Sequence, residues 1–121
     1  MKETIHRTNP EAEFETPERC SILELWNDAS DGEVSVARAT VKPGIATQPH
    51  RLHGVIERYV ILSGRGEVTI GELAPTIVEP NDVVIIPAGV SQSIANIGPD
   101  DLVFLCVCSP RFTPECYESL G

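Results

Sequence analysis

Positive charge is the first thing this chain is short of. Nine Lys and Arg stand against eighteen Asp and Glu in 121 residues, a formal charge of -9. Such a surface repels phosphate backbones and anionic headgroups, so no nucleic-acid partner and no membrane partner is expected. Long hydrophobic runs are missing too. The longest nearly uncharged one, Leu102 to Ser109, falls far short of the ~20 residues of a membrane span. The opening MKETIHRTNPEAEFE lacks an apolar signal-peptide core, and a soluble, cytoplasmic protein is the expectation. Helical periodicity never lasts three turns, although TPECYESL near the end reads as a short helix. There is no internal repeat and no low-complexity segment.

What is present are short runs rich in Val and Ile, bounded by Gly, Pro, Asn and Asp. SILELW, EVSVARATV, VIERYVIL, GEVTI, PTIVEP, VVIIP, SQSIANI and DLVFLCVC follow one another, with turn signals every eight to twelve residues. This spacing predicts an all-β sandwich or barrel in one domain, long enough to bury roughly two-thirds of its unfolded surface. Residues 1–20, with Asn9-Pro10 and Thr16-Pro17, read as an N-terminal arm, and residues 21–121 as the barrel. The arm is long enough to cross to a second copy.

Four cysteines, Cys20, Cys106, Cys108 and Cys116, carry no secretory context and read as reduced thiols. Cys106 and Cys108 alternate in an extended run and share a face at ~6.5 Å, awkward for bridging each other, so they read as small buried side chains.

Histidine is scarce as well: His6, His50 and His53 are all there are. Two of them lie close to Glu57, and an imidazole pair with a carboxylate is a ligand set for Zn, Fe, Mn or Ni. In a regular strand His53 and Glu57 share a face and His50 has the opposite parity. Either His50 belongs to the loop before the strand, or a bulge re-aims one side chain. Tyr59 and Ile61 share the parity of Glu57, which aims the Tyr59 hydroxyl at the interior as a candidate acid/base or as a packed aromatic. Arg51 and Arg58 are candidates to meet an anionic ligand at the mouth, or are simply solvated.

Gly44 is followed after five residues by His50, and Glu57 after six by Gly64; this segment resembles the first signature of the cupin superfamily. That signature runs Gly, five residues, His-x-His, three or four residues, Glu, six residues, Gly. PNDVVIIPAGVSQSIAN, Pro80 to Asn96, resembles the second: Asp82, Pro87, Gly89 and Asn96 match, Asn81 stands where Gly is usual, and Gln92 stands where a His is usual. The resemblance implies a double-stranded β-helix, or jelly-roll barrel, with one divalent metal (Mn, Fe, Ni or Zn) inside, and a homodimer paired through strands and the N-terminal arm. The family set is three His and one Glu. Here each register of the first signature keeps one His and loses the other, on Leu52 or on Arg51. A one-residue shift would aim both inward and give the expected ligands His50, His53, Glu57 and Gln92, Gln being similarly used by some cupin sugar-phosphate isomerases. One carboxylate would leave the metal about +1 and attractive to an anionic, chelating oxygen ligand. The functions implied are a metal-dependent enzyme of isomerase-like Lewis-acid, lyase or dioxygenase type with Tyr59 as acid/base, or a non-catalytic binding or structural cupin with a degenerate site. A regulator's sensory domain is disfavoured by the acidic charge.

Overall fold

The computed structural model describes all residues, Met1–Gly121. Eleven strands form: β1 (Phe14–Glu15), β2 (Ser21–Trp26), β3 (Ser35–Val41), β4 (His50–Leu52), β5 (Ile56–Ser63), β6 (Gly66–Ile70), β7 (Thr76–Val78), β8 (Val83–Ile86), β9 (Gln92–Asn96), β10 (Leu102–Ser109) and β11 (Tyr117–Ser119). Eight coincide with the apolar runs of the sequence. TPECYESL is not the short helix its pattern suggested: one 3-10 turn, Pro114–Cys116, runs straight into β11, whose Tyr117–Ser119 pair with Leu52–His50. No helix is long and apolar enough to cross a membrane.

The strands make two antiparallel sheets, ordered β1-β2-β3-β10-β5-β8 and β11-β4-β9-β6-β7. Facing each other, they close the jelly roll expected from the resemblance. Alternation sends one side of each strand inward. Along β5 the buried residues are Glu57, Tyr59 and Ile61; along β9 they are Gln92, Ile94 and Asn96. Val41, Ile61, Ile86, Ile94 and Leu102 are essentially inaccessible and form the centre of a twelve-residue core. Each buried aliphatic contributes about 1.5–3 kcal/mol.

Several signature residues turn out to hold backbone together. Asn96 donates through Nδ2 to the carbonyls of Val41 (2.9 Å) and Asp100 (2.8 Å) and accepts from the Gly98 amide (2.9 Å), joining three segments. Asp82 accepts from the Glu79 amide at 2.8 Å, closing the turn before β8. Gly64, at φ 89°, lies so close to Asp101 that an added Cβ would sit 2.6 Å from its carbonyl oxygen, so only glycine fits.

Residues 1–20 divide. Phe14 and Glu15 pair with Ile22 and Ser21, the Thr16 amide donates to the Cys20 carbonyl, and the Gln48 amide donates to the Glu18 carbonyl. Phe14–Cys20 therefore pack on the chain's own barrel as a strap beside its mouth.

Candidate functional site

One end of the barrel is not filled. A cavity of about 390 Å³ opens between the sheets, and the register explains it. Inward positions on the six-stranded sheet fall in cross-strand rows: Ser35, Cys108, Glu57 and Ile86 in one, Ala37, Cys106, Tyr59 and Val84 in the next. β3 contributes Ser35, Ala37 and Ala39, side chains too short to reach the opposite sheet. The room they leave is the cavity. Its mouth is walled by the strap, through Phe14, Thr16, Pro17 and Glu18.

His50 enters from the other sheet. QPHRLHGVIERY is not a single strand with a bulge: β4 ends at Leu52, His53 and Gly54 form a turn with Gly54 at φ 71°, and β5 starts at Ile56 on the opposite sheet. The parity conflict disappears because His50 and Glu57 lie on facing walls. The imidazole of His50 is 7% exposed and stacks on Tyr117 with centroids 5.1 Å apart. Its Nδ1 lies 3.0 Å from the Gln48 carbonyl and 3.1 Å from Glu18 Oε2. A carbonyl only accepts, so Nδ1 carries a hydrogen, and Nε2 is left without a protein partner.

Glu57 is 7% exposed and its Oε1 is the one buried side-chain polar atom with no hydrogen-bond partner. The other oxygen takes only a weak contact from Cys108 Sγ at 3.7 Å. Desolvation pushes its carboxyl above the usual range, while the nearby His50 pulls it partly back. Glu18 is likewise pushed up by burial and drawn down by His50. The thiols move the same way: burial raises Cys20 to about 11, and raises Cys106 and Cys108 beyond the range where thiolate forms at neutral pH. All four cysteines are free, and Cys106 and Cys108 face inward beside Tyr59 and Glu57 as their alternation predicts.

The expected metal set does not assemble. His53 sits at the turn with its side chain 55% exposed, Nε2 against Glu118, which also binds Arg51. The shift that would have aimed both histidines inward is absent because the chain crosses between sheets at that point. Gln92 is buried behind the cavity wall, and its Oε1 accepts the Tyr59 hydroxyl, so the oxygen proposed as a ligand is spoken for. Of the four residues only His50 and Glu57 line the cavity, and nowhere do three His, Cys, Asp or Glu side chains converge in a metal-binding group. These positions do not fit the family's four-ligand centre.

Tyr59 does line the cavity, but through its ring. The hydroxyl is given to Gln92, burial raises it well above its ordinary value, and the ring packs on Phe104 at 4.7 Å. A role as acid/base is not supported by that arrangement. Arg51 is held on the surface by Glu118, and Arg58 points to the outer face, donating to Ser109 Oγ at 2.7 Å. Neither reaches the cavity, whose walls carry no Lys or Arg at all.

Sequence reasoning missed Glu18 and the small-residue face of β3. The first sits in a segment with no strand pattern. The second was visible as Ser, Ala, Ala at alternate positions of SVARA, a signal for space that is easily read as neutral filler.

Residues 37–108 match the cupin domain family. The chain is a cupin. It is 27% identical over 119 residues to the alginate biosynthesis protein AlgA of Pseudomonas fluorescens, a match covering 95% of this chain and 24% of AlgA. It is 35% identical over 86 residues to the uncharacterized protein MJ1618 of Methanocaldococcus jannaschii, covering 71% of this cupin and 68% of that protein. Among solved structures, the capsular polysaccharide assembling protein CapF of Staphylococcus aureus superposes with a TM-score of 0.74 at 25% identity, covering 88% of this cupin and 33% of CapF. This cupin thus spans about a quarter of AlgA and a third of CapF.

Proposed function

We propose that this cupin binds a small metabolite without negative charge in the barrel cavity, oriented between Glu57 on one wall and His50 on the other. The observation that carries this reading is the unpartnered, buried Glu57 Oε1 on the wall of a cavity without Lys or Arg. A buried carboxyl left without a partner costs ~1–3 kcal/mol, and a ligand hydrogen bond recovers it. An anion, by contrast, would meet Glu18, Glu24 and Glu57 with no counter-charge beyond His50. The ligand class favoured here is an apolar frame bearing one or two hydrogen-bonding groups, since 13 of the 23 residues lining the walls are hydrophobic.

The pair also has the makings of acid-base chemistry. Burial favours the protonated form of Glu57, and His50 Nε2 has no protein partner, so a carboxyl and an imidazole face one space and can exchange protons with a ligand between them. Relatives named for alginate biosynthesis and capsular polysaccharide assembly are the reason to include neutral sugars in the screen beside the more apolar compounds that the walls favour.

Thermal-shift screening of neutral sugars, nucleosides and aromatic alcohols beside matched carboxylates and phosphates, followed by calorimetry, tests this. Neutral compounds should stabilise the protein and lose at least tenfold in affinity in Glu57→Gln or Ala37→Leu. Preferential binding of the anions, or undiminished binding to Ala37→Leu, overturns the reading. Metal analysis of the purified protein belongs to the same experiment. One equivalent of divalent metal, lost in His50→Ala and Glu57→Ala, would put ligand coordination ahead of direct hydrogen bonding.

A further inference from the structure

The barrel cavity has a neighbour of a different character. A second recess borders it, and four of the seven residues lining that recess, Glu24, Asn27, Phe112 and Pro114, line the cavity as well. The register shows how the two join. Glu24 pairs with Ala37, so it extends the inward row of Tyr59, Cys106 and Ala37 by one strand and ends it at an exposed position. One row of side chains thus runs from the cavity wall to the recess. The chemistry changes along it. The cavity wall has no Lys or Arg, whereas the recess brings Arg111 and Glu115 beside Glu24 and Asn27, with Phe112 as its one hydrophobic residue.

Arg111 is held in place there. Its Nη1 donates to Asn27 Oδ1 at 2.8 Å, Asn27 Nδ2 donates to the Phe112 carbonyl at 2.9 Å, and the Phe112 amide donates to Ser35 Oγ at 2.9 Å. Ser35 is buried in the cavity wall, so the recess hangs from the cavity itself. A guanidinium has five N–H donors, and only the bond to Asn27 engages one of them within the protein; Arg111 enters no ion pair. Its other donors are free, and the exposed carboxylates of Glu24 and Glu115 are acceptors in the same recess.

We propose that this recess is a sugar subsite, and that the ligand is a neutral glycoside with its apolar aglycone in the barrel and its hydroxyls on Arg111, Glu24 and Glu115. The proposal rests on the cavity being a ligand site. Three features select this class. A hydroxyl both donates and accepts, and the recess places fixed donors among acceptors. Two carboxylates against one guanidinium disfavour an anionic head group. A cavity suited to an apolar frame borders the recess, so a molecule with one apolar and one hydroxylated end fills both.

Calorimetry with naphthol, its glucosides and galactosides, and its glucuronide tests the assignment. At least one neutral glycoside should bind about tenfold tighter than naphthol, the gain expected of hydrogen bonds to charged side chains. Arg111→Gln should reduce that glycoside to the affinity of naphthol and leave naphthol binding unchanged, while Ala37→Leu should abolish both. Glu115→Ala, at an exposed position, should also reduce the gain, a readout that survives if the Arg111 variant fails to fold. Naphthol binding with no gain from any neutral glycoside overturns the subsite and leaves the cavity reading standing. So does a glucuronide that binds tighter than every neutral glycoside, or a gain that persists in both Arg111→Gln and Glu115→Ala. Absence of binding by naphthol and by every glycoside overturns the cavity reading and the subsite together.

Discussion

The two ends of this barrel are built on the same strands and differ only in the size of what those strands send inward. At the closed end Val41, Ile61, Ile94 and Leu102 fill the space to near inaccessibility. At the open end the same sheets offer Ser35, Ala37, Cys106, Cys108, His50 and Glu57, and the space stays open. One end holds the fold, and the other uses stability gained there to keep a carboxyl and an imidazole out of water. A cavity in a two-layer β protein therefore needs no special architecture, only a few short side chains in register across neighbouring strands.

The sharpest way to break that comparison is to open the closed end. Ile61→Ala or Leu102→Ala should cost about 3–4 kcal/mol in urea unfolding, because no neighbour collapses into the gap. Filling the open end should do the reverse. Ala37→Leu should leave stability within about 1 kcal/mol of wild type, since it enters space and not packed atoms, while ligand-induced stabilisation is lost. A third test is electrostatic. Burial raises the Glu57 carboxyl above its unfolded value, so the folded protein holds more protons than the unfolded one between those two values. Stability contributed in the protonated state is complete below the unfolded value and falls as pH rises towards the folded one. Glu57→Gln should accordingly melt near wild type at pH 5 and above it at pH 8; equal melting curves at both pH values would show Glu57 to be solvated. The smallest effect belongs to the residue the sequence made most of. His53→Ala should change stability by less than about 0.5 kcal/mol and leave ligand binding unchanged, because an exposed contact to Glu118 is all it removes.

Legibility followed what each residue is for. Strand runs and the fold could be read because alternation and turn chemistry are local, and Gly64, Asp82 and Asn96 kept their places because each satisfies backbone groups that any sequence of this fold must satisfy. β4 and β11 could not be read, because three-residue strands have too few positions to show a period. The inward aim of Glu57 and Tyr59 followed from parity. The placement of His50 did not, because parity is defined only within one strand, and the chain changes sheets between His50 and Glu57. Glu18 was hidden for a different reason: nothing local marks a turn residue that meets its partner thirty-two positions later.

The strap has a further consequence. Phe14–Cys20 is attached by a two-residue strand, one loop hydrogen bond from the Gln48 amide and the meeting of Glu18 with His50, and it is also a wall of the cavity. Occupying the cavity and fastening this segment are then halves of one equilibrium, each strengthened by whatever strengthens the other. A bound ligand should slow cutting by a protease near Arg19, and a strap tethered in place should lengthen the time a ligand stays.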